Sequence, residues 1–249
     1  MRKLILVDGA ARKAYVEAYH DCVSFDATYL TNMYNMPFAP FIGINSHGQS
    51  FMLGCVFVRQ ELETSYDWLF GAFLEAVGGK VSDTIITDQD GAMVVSIDMM
   101  FPTTTHRCCR WHIMKKAQEK LGSMLARNPG LAEKFNECID FSFTPAEFER
   151  KWAALMLKYE ALGLANTHFD KLFEDRATWV PCYFKFRFFP FLQSTQRNEG
   201  FNAVLKCYMN PRKSLLNFLK QYEKIQIHIL VKEGGNDYRT DHLETQTWS

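Results

Sequence analysis

Blocks of apolar residues recur along this chain with two different periods. Strand-like runs occupy residues 4–7, 21–30, Ala39 to Asn45 and Ser50 to Val58. Ser46-His47-Gly48-Gln49 carries turn chemistry between the last two, which predicts an antiparallel meander. Gly9 to His20 reads as a short helix. Thr64 to Val77 is an amphipathic helix, with Trp68, Leu69, Phe73, Ala76 and Val77 at helical spacing and Gly78-Gly79 as its stop. A β-branched run, Thr84 to Thr87, precedes a helix from about Gly91 to Met100. A short strand, Thr105 to Cys108, precedes a helix from Trp111 to Leu121. Strand–helix–strand order of this kind predicts parallel pairing through a crossover.

From Pro129 to Trp179 the pattern is all helical. Thr144-Pro145-Ala146-Glu147 has the signature of a capping box with proline at the first helical position. Phe148, Trp152, Leu155, Met156 and Tyr159 then form one stripe, which reads as core. Residues 180–194 are aromatic and irregular. Thr195 to Tyr208 and Ser214 to Val231 read as helices, and the tail beyond Gly234-Gly235 is polar.

Two of the strands carry acids at their ends. Cys22-Val23-Ser24-Phe25 runs into Asp26, and Thr84-Ile85-Ile86-Thr87 runs into Asp88-Gln89-Asp90. Two strands that each deliver a carboxylate form the start of an oxygen-ligand site for a hard divalent cation. Asp88 alone could instead cap the helix that follows it, and Asp90 reads as either an outer acid or a helix cap. A third acid should sit on a late helix, and Glu199 supplies it within Ser194-Thr195-Gln196-Arg197-Asn198-Glu199. The element order predicts an α/β fold: a ribonuclease H-like mixed sheet with an all-helical insertion between the second Asp strand and the Glu helix. The expected division is a core over 1–128, the insertion over 129–192, C-terminal core helices over 193–232 and a loose tail over 233–249.

Composition adds limits. The chain has 249 residues, 47% of them hydrophobic, enough for a substantial core. Formal net charge is zero, so global charge points to no partner. Locally, Lys185 to Lys224 carries a net +6, which suits phosphates or a solvated helical face. The seven cysteines are odd in number and scattered, which suits buried thiols in a reducing compartment better than a disulfide framework. The apolar run at the start is short for a signal peptide, and no run approaches a membrane span, so a soluble intracellular protein is expected.

Several motifs, in order, carry a resemblance. They are Val23-Ser24-Phe25-Asp26-Ala27-Thr28-Tyr29-Leu30-Thr31-Asn32, Met36-Pro37-Phe38-Ala39-Pro40-Phe41, His47-Gly48-Gln49-Ser50, Ile85-Ile86-Thr87-Asp88-Gln89-Asp90, His106-Arg107-Cys108-Cys109-Arg110-Trp111-His112 and Ser194 to Glu199. With them the chain resembles the transposase domain of Mutator-like elements. It is more similar still to the plant far-red-impaired-response family of transposase-derived transcription regulators. The resemblance implies an acidic triad of Asp26, Asp88 and Glu199 that would hold Mg²⁺ or Mn²⁺. It also implies a nuclear protein that associates with DNA and forms homo- or hetero-oligomers with related family members. Cys109-x-x-His112 matches the family's Cys-x-x-His element. With Cys108 and His106 beside it, it reads as packing of a strand-to-helix junction or as half a zinc site. Arg107, Arg110, Lys115 and Lys116 make that region basic, and with Arg197, Lys206, Arg212 and Lys213 they are candidate contacts to DNA. The family's terminal zinc modules are not matched, so a central domain is expected. The expected function is regulation of transcription by a domesticated transposase domain. An active transposase cutting and joining DNA, or an inert interaction remnant, are the alternatives.

Overall fold

Nearly continuous apolar strands imply a sheet covered on both faces, because a half-solvated sheet would alternate polar and apolar residues. The computed structural model describes residues 3–26, 30–31, 37–58, 63–164, 166–189, 217–229 and 231. Strand β1 (Lys3–Leu6) leads to helix α1 (Gly9–Glu17), then β2 (Cys22–Phe25), the two-residue β3 (Leu30–Thr31), β4 (Pro37–Ile44) and β5 (Ser50–Val58). Helix α2 (Glu63–Ala76), β6 (Thr84–Thr87), α3 (Gly91–Met100) and β7 (Thr105–Cys108) follow. The sheet order is β1-β5-β4-β2-β6-β7, with β3 paired to β4 off that path. The β1–β5, β5–β4 and β4–β2 pairs are antiparallel, and β2–β6 and β6–β7 are parallel. The molecule is therefore a mixed α/β fold, with the expected meander and the expected parallel crossovers in one sheet.

Local chemistry explains the element ends. Asp8 caps α1, its Oδ1 accepting from Ala11 N at 2.7 Å. Between β4 and β5, Asn45 Oδ1 accepts from His47 N and Gln49 N, and Gly48 takes φ of 69° to close the turn. The strand expected over 21–30 ends early in β2, at Phe25, with Asp26 outside it; Leu30 pairs with Phe38, and 27–29 lie outside the described residues.

Both faces of the sheet are covered. On one, Phe25, Phe41 and Leu53 meet Tyr15 of α1 and Phe70 and Phe73 of α2, with Phe41 and Phe73 stacked at 4.0 Å. On the other, Phe38, Met52, Cys55 and Phe57 meet Phe218, Tyr222 and Ile225 from a helical stretch over 217–229. Trp68, expected in the α2 stripe, is 36% exposed at its margin with Lys3 Nζ over its ring.

A second core is helical. It is built by α4 (Arg110–Arg127), α5 (Pro129–Asp140), α6 (Pro145–Ala161), α7 (Thr167–Glu174), α8 (Arg176–Trp179) and a 3₁₀ turn, Pro181–Phe184. Helix α4 runs past its expected end at Leu121 to Arg127. The α6 stripe buries Phe148, Trp152, Leu155 and Tyr159 against Phe135 and Phe169. Its cap forms with one variation: Thr144 Oγ1 accepts from Glu147 N at 3.2 Å, while Glu147 Oε2 accepts from Phe143 N at 2.8 Å, one residue before the cap. Among the described residues the cysteines are free thiols, five of them buried. No helix among the described residues is long and apolar enough to cross a membrane.

Candidate functional site

Parallel strands in register end at the same level, and that decides where the acids go. Phe25 of β2 pairs with Thr87 of β6, and Thr87 pairs with Cys108 of β7. The next residues are Asp26, Asp88 and Cys109. Three neighbouring strands thus deliver an acid, an acid and a thiol along one edge of the sheet, at its carboxyl ends. In open α/β sheets this is the edge where ligands bind.

Helix α4 starts directly after Cys109 and carries His112 and Lys116 back over the acids. His112 Nε2 lies 4.0 Å from Asp26 Oδ1, and His112 Nδ1 lies 3.8 Å from Asp88 Oδ1. Lys116 Nζ stands 3.7 Å from Asp88 Oδ1 and donates to Gln89 O at 3.4 Å. One imidazole therefore spans both carboxylates at ion-pair distance. Burial lowers the His112 pKa, but the Cys109 sulfur and the two carboxylates outweigh it, and the net shift is upward. His112 Nδ1 is buried and makes no hydrogen bond of normal length.

Behind the acids the edge is braced. Asp88 Oδ1 accepts from Gln89 N at 2.6 Å. Thr87 Oγ1 donates to Asp88 O and lies 2.8 Å from His106 Nε2. Burial pushes the His106 pKa down to about 4, with Asp98 opposing, so this ring is neutral and structural. Asp90, which its position allows as outer acid or cap, is a cap: its Oδ1 accepts from Met93 N at 2.9 Å at the start of α3. Asp88 is thereby released from the capping role.

The expected DNA contacts divide. Arg107 does not face solvent. It is 2% exposed, its Nη2 donates to Trp179 O at 2.8 Å, and its guanidinium lies 5.0 and 5.7 Å from the Phe184 and Phe189 rings. It sits on a strand between the sheet and the helical core, where the side chain points inward. Arg110 is engaged by Asp140. Lys115 is exposed, its Nζ over the Trp111 ring at 5.1 Å. Glu199, Arg197, Lys206, Arg212 and Lys213 lie outside the described residues. No group of three ligating side chains that includes Asp26, Asp88, Cys109 or His112 occurs among the described residues. One such group forms elsewhere: His20, Asp21 and Asp83 gather at the opposite ends of β2 and β6, where single polar residues in loops left no sequence signal.

Asp26 and Asp88 supply two carboxylate oxygens at the ends of paired strands, the donor chemistry that a hard divalent ion takes.

Comparison with known proteins covers this same edge. Residues 22–116 match the MULE transposase domain. The matched span runs from β2 through the first half of α4, and so contains Asp26, Asp88, Cys109, His112 and Lys116. Among curated relatives, the Protein FAR1-RELATED SEQUENCE 5 of Arabidopsis thaliana is 38% identical over 230 residues, 92% of this chain. FAR1-RELATED SEQUENCE 2 is 34% identical over 95% of the chain, and FAR-RED IMPAIRED RESPONSE 1 is 32% identical over 98%, both from the same plant. The chain spans 29% of the length of each of these three relatives. The likeness read from the motifs is thus borne out, with the FAR1-related proteins matched along most of the chain.

Proposed function

We propose that this chain is the ribonuclease H-like domain of a transposase-derived nuclear protein that regulates transcription by associating with DNA. One observation carries the reading. Within the span matched to the MULE transposase domain, in-register strands β2 and β6 place Asp26 and Asp88 side by side at the carboxyl edge. The sheet order also supports it, since an antiparallel meander β2-β4-β5 continued by parallel β6 and β7 suits a ribonuclease H-like core. Similarity to FAR1-related proteins supports the regulatory role and oligomers with such relatives.

At this edge, Asp26 and Asp88, with Glu199 as the expected third acid, would hold Mg²⁺ or Mn²⁺. When bound, the ion supplies charge stabilisation at a phosphoryl oxygen. Lys116 sets a positive charge beside the acids, with the His112 ring next to it, and orients a phosphate backbone against them. Lys115, exposed on the same helix, extends that flank. The retained pair of acids also favours a second reading, metal-dependent strand cleavage and transfer as in an active Mutator-like transposase.

Fluorescence anisotropy with labelled duplex DNA across a salt series, paired with a nicking assay in Mn²⁺, tests both. Salt-dependent binding without nicking, unchanged in Asp26→Asn, fits the regulator. Nicking abolished by Asp26→Asn or Asp88→Asn would assign catalysis. Absence of binding even at low salt would overturn the DNA-facing reading.

A further inference from the structure

A short turn beyond the 3₁₀ helix presents cations and aromatics in alternation. Lys185, Phe186, Arg187 and Phe188 are all exposed, with Phe186 at 77% and Phe188 at 58%. Four residues of this composition on a loose loop would carry little information. Here the turn is clamped at both ends. Phe184 before it and Phe189 after it are 4% exposed and pack edge to face at 5.2 Å. Both rings lie against the buried Arg107 guanidinium, which hydrogen-bonds to Trp179 O. Phe188 O accepts from Thr84 Oγ1 at 3.0 Å, which ties the turn to strand β6. The backbone is therefore fixed to the sheet while the side chains between the anchors stand in solvent.

The turn does not stand alone. Lys185 Nζ lies 4.3 Å from the centre of the Phe143 ring, in the connection between α5 and α6. Phe143 is 67% exposed and Phe141, two residues earlier, is 63% exposed. Lys151, which could add charge there, is paired with Glu147 at 2.9 Å and donates to Phe141 O. The surface thus displays exposed phenyl rings, with Lys185 set over that of Phe143 and Arg187 standing between Phe186 and Phe188 in the chain.

Exposed phenylalanines on a fixed backbone are costly in water unless something covers them. A second copy of the same surface would bring Lys185 and Arg187 against their own like charges. Duplex DNA hides its base faces and offers the rings nothing to stack on. Unpaired DNA matches both features, because bases stack on aromatic rings while the backbone phosphates meet the cations. The basic stretch that begins at Lys185 continues the same charge along the sequence. We infer that Phe186 and Phe188, flanked by Phe141 and Phe143 and charged by Lys185 and Arg187, form a stacking platform for unpaired DNA bases. This platform is independent of the acids at the strand ends. It depends on burial of Arg107, which clamps the turn, and not on any contact of Arg107 with DNA.

Anisotropy titrations of the full chain with a labelled single-stranded oligodeoxynucleotide and its duplex test the inference. Expected is tighter binding to the single-stranded DNA than to the duplex. Phe186→Ala and Phe188→Ala should each weaken that binding roughly tenfold and leave duplex affinity unchanged. Phe186→Trp should restore it, which separates stacking from folding. Lys185→Gln with Arg187→Gln should reduce the slope of log affinity against log salt by about 1.4 for single strands. These side chains are exposed, so melting temperatures should not move. The inference is overturned if single-stranded DNA binds no better than duplex, or if the double variant Phe186→Ala, Phe188→Ala binds it as the parent does. Either failure would leave the acid-site reading untouched, because that reading is scored on duplex binding and on Asp26→Asn.

Discussion

Asp8 Oδ2 accepts a hydrogen bond from Tyr222 Oη at 2.8 Å, joining residues 214 positions apart. The same oxygen accepts from Gln226 Nε2 at 2.8 Å, while Oδ1 caps helix α1. One carboxylate therefore ties the start of the chain to the helical stretch over 217–229 that covers the second face of the sheet. Burial would raise the Asp8 pKa, but the hydrogen bonds from Ala11, Gln226 and Tyr222 outweigh it and hold it below its ordinary value. A depressed carboxylate stabilises the fold above its unfolded pKa, and that contribution is lost as pH falls through the folded value. Asp8→Asn should cost about 1–2 kcal/mol at neutral pH. The gap between parent and variant should stay level above about pH 5 and shrink below about pH 4. Urea denaturation at stepped pH checks this, and a gap that persists unchanged in acid would refute the assignment.

Lys116 and the acids make a prediction of opposite sign to simple loss. Its ammonium stands 3.7 Å from Asp88 Oδ1 and competes with any cation there. Lys116→Met should tighten Mn²⁺ binding by about three- to tenfold, in line with the ~1 kcal/mol of a half-exposed pair. Asp88→Asn should weaken it. Calorimetric titration reads both, and weaker Mn²⁺ binding in Lys116→Met would count against a cation site between the strand ends.

Arg107 should behave as a structural residue. Arg107→Ala leaves Trp179 O without that donor and removes the cation packed against the Phe184 and Phe189 rings. The expected cost is roughly 2–4 kcal/mol, read as a lower midpoint in chemical denaturation. Lys115→Ala, which is exposed, should leave the midpoint unchanged and weaken duplex DNA binding instead.

Gly54 marks a close approach in the sheet. A methyl group added there would meet Val7 Cγ2 at 2.8 Å and Leu6 O at 2.9 Å, and the second contact is backbone. Gly54→Ala should destabilise by about 1–3 kcal/mol. Thermal melts check this, with Gly79→Ala as a contrast, since a methyl group there meets no atom within 4 Å and only the φ of 78° is strained.

Much of the architecture was legible because it is encoded locally. The β-branched run Thr84–Thr87 became a strand, Thr144 became a cap, and Phe148, Trp152, Leu155 and Tyr159 became a buried stripe. Each depends on residues within a few positions. The extent of a strand is harder to read, because it depends on a partner. The run over 21–30 reads as one strand, but β2 stops at Phe25 and β3 pairs separately with β4. Asp90 shows the same limit in the site. Its capping role depends on which acid stands at the helix start, and two acids separated by one residue look alike until the backbone direction is known.

What the amino-acid order alone determined was the supply of chemistry: two acids ending two apolar strands, a Cys-x-x-His step after a third, and cations clustered in the last part of the chain. Periodicity and end signals are short-range, so they survive in one dimension. The tertiary structure decided how that chemistry is arranged. Register between β2, β6 and β7 brings Asp26, Asp88 and Cys109 to one edge, and helix α4 lays His112 and Lys116 over them. It also turned Arg107 inward and left Lys185 to Phe188 outward. Those outcomes depend on which surfaces are buried against distant segments, and burial is a property of the packed chain rather than of any residue in it.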